Sequence, residues 1–511
     1  MQNILRKQNI YRTLVLIGLV ICGYLGSPTP SVFAQSLVQA PAPQSPHWPH
    51  INVFSYARSL FNANLSPSAY QWYTSHLDAV EVQGNGSTLR AMNPSIELFS
   101  YQIDMTAFTS DFFSGVSEDV FLHFSEPTVL TIYTIVRSRI IGSASISGCP
   151  VGTPIAPGCR VQTHILDNRR FVLNPQSPAF RTWQAGKVLG SLNLYGYPVD
   201  PSRIVWIDEH SPGFSWALSF GWQVVVQSGG GIREFSGRRP GDIGFEADYS
   251  SAAANWLTFL AAQADQAGKK VLVNANAEAL HPWLQPQITA IHGMSTESKH
   301  RPDGFAGPDE YQQYINLVNN LTAAGGRIDL HGRWCYTGPA GFTAGNYTTS
   351  AARYRMWRLA SYYQFKEPVG SAGMVHFNTG FCSDERPTID QSAQDQAEWL
   401  LAYQVDVGKP LGATTLYQQG TAGCSYKILG RSYSKALILV RPQDSSTCTS
   451  FGDTTAATVT FSAPVQLLRE NGTLSDPVTS ATLRNAEAII AYQTTNVDTT
   501  PPASPANVTV R

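Results

Sequence analysis

The segment IVWIDEHSPG, Ile204 to Gly213, carries the densest chemistry in the chain. An apolar run ends in Asp208, Glu209 and His210, and Pro212 and Gly213 then turn the backbone away. A carboxyl group at the end of such a run can protonate a leaving oxygen, attack an electrophilic carbon or activate water. Successive residues of a strand point to opposite faces, so Asp208 shares a face with Trp206 and Glu209 with Ile207. Asp208 is therefore the expected pocket acid, with Glu209 as its alternate. Glu297, in GMSTES, is the candidate second carboxylate, and Glu278 is its rival.

Other polar residues stand where apolar runs end. Tyr56, Glu81, Tyr101, Asp104 and His210 are expected to bind substrate, as are Asn274, Asn276, His331 and His376. The two late histidines read as pocket walls or satisfied structural side chains. No H-E-x-x-H pair, zinc-type cysteine spacing or G-x-S-x-G elbow occurs. Metal hydrolysis and serine esterase chemistry are therefore not expected, and no cofactor is called for.

These residues must be positioned by the elements before them. Short apolar runs open at Ile51, Ala79, Ile96, Arg203, Lys270, Ala290, Arg327 and Gly373. Helical patterns follow them, near Pro67–Leu77, Leu89–Met92, Pro178–Leu194, Tyr249–Ala267, Pro282–Thr289, Pro308–Ala324, Ser350–Phe365 and Ala393–Val405. Buried parallel strands read as such apolar runs between amphipathic helices. Eight units in order predict an α/β fold, a (β/α)8 TIM barrel over residues 49–430, and no Gly-rich dinucleotide fingerprint argues for an open sheet instead. After residue 430 the runs Ala436–Val440, Ala457–Phe461, Val465–Leu468 and Ala488–Tyr492 predict a small antiparallel β domain, sandwich-like, to residue 495. Residues 496–511 form a tail resembling the start of a fibronectin type III module.

The first 34 residues read as a signal peptide: Arg6, Lys7 and Arg12, then the apolar run Leu14–Leu25, then Val32-Phe33-Ala34 before Gln35. Residues 35–48, rich in Pro, Ala, Ser and Gln, read as a linker. Export suits the six remaining cysteines, Cys149, Cys159, Cys335, Cys382, Cys424 and Cys448, as disulfides. Cys149–Cys159 is the local pairing, with Cys335–Cys382 and Cys424–Cys448 for the rest. Losing three basic residues with the leader leaves 32 basic against 36 acidic, a mature net charge of −4. That is no nucleic-acid footprint. Charged residues make up only 14% and aromatics 11%, a balance suited to neutral sugars that stack on aromatic faces.

Several segments together resemble a known group. LRAMNPSIELFSYQ from Leu89, EDVFLHF from Glu118, FVLNPQSPAFRTW from Phe171, VWIDEHSPG, QSGGGIREF from Gln227, AIHGMSTES and VDVGKPLG from Val405 follow one another in the order seen there. Spread over residues 50–495, they resemble the TIM-barrel glycoside hydrolases near the endo-α-1,4-polygalactosaminidase-like group. The resemblance implies a strand-four Asp as nucleophile or base, here Asp208, and a strand-six Glu as acid, here Glu297. The chain departs from the group's Phe-Asp-Gly lead into the fourth strand, having Pro201-Ser202-Arg203 instead.

The sequence thus predicts a secreted, monomeric glycoside hydrolase acting on a polysaccharide by a two-carboxylate mechanism. No nucleic-acid partner is expected, and no membrane partner after cleavage. The competing class is a non-catalytic carbohydrate-binding or cell-surface scaffold that keeps the barrel.

Overall fold

A computed structural model describes residues 53–55, 67–82, 84–108, 113, 115–126, 129–134, 139–142, 158–163, 170–194, 196–208, 210, 223–228, 231–239, 242–275, 280, 285–288, 291–296, 299–302, 304–330, 342–344, 347–349, 351–378, 400–421, 425–444 and 456–494. The signal-peptide, linker and tail expectations lie outside them.

Eight parallel strands close a barrel: β1 (Val53–Ser55), β2 (Ala79–Glu81), β3 (Glu97–Ile103), β4 (Ile204–Asp208), β5 (Lys270–Asn274), β6 (Gly293–Thr296), β7 (Arg327–Leu330) and β8 (Met374–Asn378). Each pairs with its neighbours in chain order, and β8 returns to β1 through Val53↔Phe377 and Phe54↔Asn378. The (β/α)8 expectation is met. Helices on the outside are α1 (Pro67–His76), α2 (Gly86–Met92), α3 (Pro178–Val188), α4 (Ile243–Gln266), α5 (Gln285–Ile288), α6 (Pro308–Ala323) and α7 (Ala351–Phe365). Local chemistry starts two of them. Ser177 accepts the Phe180 N–H ahead of α3, with Pro178 at the first turn, and Pro308 opens α6.

One side of the barrel interior is apolar. Ala79, Phe99, Tyr101, Ile103, Ile204, Trp206 and Leu272 pack together there. Burying each large member stabilises the fold by about 1.5–3 kcal/mol. The alternation in β4 turns Ile204, Trp206 and, by the same parity, Asp208 toward this interior. The side made by β6 to β8 is polar instead. Gly293 belongs to it for a steric reason: at φ +153° a Cβ there would lie 1.9 Å from the Arg327 carbonyl oxygen.

Two insertions leave the C-terminal ends of β3 and β4. The first supplies a sheet of Thr106–Phe108, Arg170–Val172 and Gln162–Thr163. Its strand Val129–Thr134 also pairs antiparallel with Gln223–Ser228 of the second insertion. His123 ties the two together: its N–H donates to Glu234 at 2.8 Å, and its ring lies 2.7 Å from Glu234 and 3.1 Å from Glu118. Cys159 of the first insertion is disulfide-bonded. The other cysteines lie outside the described residues.

Among the described residues the C-terminal region is one six-stranded antiparallel sheet. Its strands are β9 (Thr415–Thr421), β10 (Ser425–Ser432), β11 (Ala436–Arg441), β12 (Ala457–Leu467), β13 (Val478–Leu483) and β14 (Glu487–Gln493), ordered β9-β10-β11-β14-β12-β13. The expected boundary at residue 430 falls inside β10. Helix α7 packs against this sheet. Gln364 donates to the Ile438 carbonyl at 2.8 Å, and the Tyr433 hydroxyl donates to the Tyr363 carbonyl at 2.7 Å. Buried Arg431 donates to the Tyr363, Gln364 and Lys366 carbonyls, capping the negative end of α7 with a cation. The eighth helix expected near Ala393–Val405 lies partly outside the described residues, and Leu401–Gln404 is a 3-10 turn.

Candidate active site

Active sites of such barrels form at the C-terminal ends of the strands, where loops gather side chains from distant parts of the chain. Asp208 is the last residue of β4 and is half-buried. Its carboxylate is gripped on both oxygens. The Tyr101 hydroxyl donates to Oδ2 at 2.6 Å, and Asn274 Nδ2 donates to Oδ1 at 2.9 Å. The donors come from the flanking strands, β3 and β5, whose register places Tyr101 beside Trp206 and Val273 beside Ile207. Tyr101 is itself wedged against Trp206, ring centroids 5.1 Å apart. Short, charge-assisted hydrogen bonds of this kind fix orientation as well as adding energy. Two residues expected to contact substrate therefore hold the candidate acid.

Asp104 and His210 were also expected in the substrate pocket. The structure seals both away: neither side chain is exposed to solvent, and His210 Nδ1 lies 2.5 Å from Asp104 Oδ2. Trp256 of α4 donates its indole N–H to the other Asp104 oxygen, and His210 Nε2 meets Gln287 Oε1 of α5 at 2.6 Å. Their polar atoms are spent on protein partners.

His376, expected as a pocket wall or a structural side chain, takes the structural position. It is buried at the middle of β8 and faces a charge cluster inside the barrel, 3.6 Å from Asp329 and 3.7 Å from Glu97. Arg327 sits between these acids, donating Nε to Asp329 at 2.8 Å and pairing with Glu97 through Nη1. Burial works against the Arg327 charge, but Asp329 and Glu97 outweigh it and raise its pKa. Burial raises the Asp329 carboxyl, only partly offset by Arg327. Burial, then Arg327 and Lys366, push the His376 ring well below its usual value. Glu97 and Arg327 open their strands, so this cluster belongs to the N-terminal half of the barrel, where side chains serve stability.

Glu81, the last residue of β2, is 1% exposed and lies in register with Phe99. Glu209, Glu297, Glu278, Tyr56, Asn276 and His331 lie outside the described residues. Among the described residues no group of three or more His, Cys, Asp or Glu side chains could hold a metal ion. Sequence reasoning missed Trp256, Gln287 and Ser250, whose hydroxyl and carbonyl receive the Gln287 amide at 3.1 and 3.2 Å. Trp256 and Ser250 lie on an ordinary amphipathic helix and Gln287 in a four-residue one, so no spacing marked them.

No family model and no curated protein sequence matches the chain. Among solved structures it is similar to an α-amylase from Lactobacillus plantarum at 8% identity, covering 86% of this chain and 98% of that one, with a TM-score of 0.40. It is similar to the α-amylase from Geobacillus thermoleovorans complexed with acarbose at 9% identity, covering 87% and 98%, with a TM-score of 0.38. It is also similar to Aspergillus fumigatus Ega3 in complex with galactosamine at 8% identity, covering 64% and 92%, with a TM-score of 0.30.

Proposed function

We propose that the protein is an exported glycoside hydrolase that cleaves a polysaccharide with two carboxyl groups, Asp208 as nucleophile or base and Glu297 as acid. The observation that carries the reading is the Asp208 carboxylate. It stands at the C-terminal end of β4, is half-open to solvent, and has each oxygen fixed by a neutral donor from a flanking strand. A carboxylate so oriented is ready to attack an anomeric carbon or take a proton from water.

Polygalactosamine, the polymer of the group the sequence resembles, is the first probe. Cleavage of the leader after Ala34, further disulfides beyond Cys159, and action as a monomer outside the cell belong to the same proposal. The test is release of reducing ends by the mature protein from polygalactosamine and from a panel of neutral polysaccharides. Turnover on one of them supports the reading. Saturable binding to a polysaccharide with no release from any would favour the scaffold class instead.

A further inference from the structure

We propose that Asp104 and His210 form a buried positioning pair that sets the Asp208 carboxylate, without touching substrate. The inference rests on the reading of Asp208 as the reacting acid.

The main chain around Asp208 is gripped twice by one residue. The Asp104 backbone N–H donates to the Asp208 carbonyl at 3.0 Å. The Asp104 side chain, through Oδ2, holds the ring of His210, two residues farther on, at 2.5 Å. Each member of the pair is then held from behind. The Trp256 indole occupies Asp104 Oδ1, and Gln287 Oε1 occupies His210 Nε2 at 2.6 Å. Gln287 is fixed in turn by Ser250, which lies on the same helix as Trp256. Gln184 of α3 donates to the carbonyls of Ile103 and Asp104 at 2.8 and 2.7 Å, clamping the end of β3. One network thus joins α3, α4 and α5 to the tips of β3 and β4, which carry Tyr101 and Asp208.

Stability alone does not call for this arrangement. Removing a carboxylate and an imidazole wholly from water is costly, and well-packed apolar residues of similar volume often serve a core as well or better. What polar groups add is a single geometry, since their hydrogen bonds fail when displaced by a fraction of an ångström. The network ends at the backbone of the candidate acid, so the geometry it fixes is that of Asp208. Displacing a reacting group by about 1 Å costs on the order of a hundredfold in rate.

The experiment compares wild type, His210→Ala, His210→Gln and Asp104→Asn on the polysaccharide that gives the highest wild-type turnover. Rates are taken per folded molecule, with folding checked by circular dichroism. His210→Ala is expected to lower kcat about a hundredfold with KM within about twofold. His210→Gln, whose amide can still donate to Asp104, recovers at least about a tenth of the wild-type kcat. Unchanged kcat per folded molecule in both His210 variants overturns the proposal, as does an equal loss in the two. Should His210→Ala fail to fold, His210→Gln and Asp104→Asn decide by the same split of kcat against KM, with unchanged kcat in both overturning it. Should wild type cleave nothing, the glycosidase reading fails separately, and crystal structures of wild type and His210→Ala decide. An Asp208 carboxylate moved off Tyr101 or Asn274 supports the pair, and contacts kept at their wild-type lengths overturn it.

Discussion

Arg327 offers the most direct view of how the barrel interior is held together. Its guanidinium is enclosed between Asp329, 4% exposed in its side chain, and Glu97, 43% exposed. Replacing it by Met keeps much of the apolar stem and removes the charge. Glu97 can turn to water, so its loss counts for little. Asp329 cannot, and an uncompensated buried charge costs about 3–5 kcal/mol. At ~2 °C per kcal/mol, Arg327→Met should melt roughly 6–10 °C below wild type at pH 7, measured by circular dichroism. Burial already raises the Asp329 carboxyl, and removing Arg327 raises it further. Below that pKa the acid is neutral and the penalty disappears, so the gap between variant and wild type should narrow as pH falls from 7 to 4. The double variant Arg327→Met/Asp329→Leu should recover most of the loss at pH 7. A single variant melting within 2 °C of wild type at pH 7, or a gap that does not narrow in acid, would refute the reasoning.

Two further expectations concern single side chains. The His376 ring is held neutral because burial, Arg327 and Lys366 lower its pKa well below the usual 6.5. The unfolded chain takes up that proton as pH falls through about 6.5, so the His376 contribution is complete above that pH and is lost progressively below it. Asp329, shifted upward, acts in the opposite sense in acid. The melting temperature of His376→Gln should therefore fall less steeply between pH 7 and 5 than that of wild type, and parallel curves would contradict the assignment. Tyr101→Phe removes one hydrogen bond to a charged oxygen, worth about 1.5–3 kcal/mol. It should lower kcat by roughly tenfold or more in the reducing-end assay, and an unaltered kcat would show that Tyr101 does not orient Asp208.

Much of the barrel could be read from the chain because its signal is local. Lys270–Asn274 and Arg327–Leu330 are short runs bounded by turns, and the structure opens its strands at the expected Lys270 and Arg327. The sixth strand was misplaced by three residues, expected from Ala290 and found at Gly293–Thr296. GMST is small and polar on its inward side, and what fixes it is the close approach of Arg327, a contact between distant segments. Thr415–Thr421 escaped notice because it is a polar, exposed edge strand with no buried alternation to mark it. Val465–Leu468 was expected as a separate strand. It instead continues β12, with a register shift between Thr460 and Val465 absorbing the irregularity.

At the site, parity along β4 identified the inward-facing acid, and strand ends identified Tyr101 and Asn274. Their role was not legible, because it depends on the register between β3, β4 and β5. Asp104 and His210 were expected at the open rim. Their side-chain partners, Trp256 and Gln287, come from helices far away in the chain, and periodicity carries no record of those contacts.

The account stands on Asp208 taking part in bond cleavage. Its most direct test is the turnover number of Asp208→Asn against wild type, on whichever polysaccharide wild type cleaves best. The substitution preserves shape and removes the charge. A fall of at least about a hundredfold with folding intact is the predicted result, and turnover equal to wild type would contradict it.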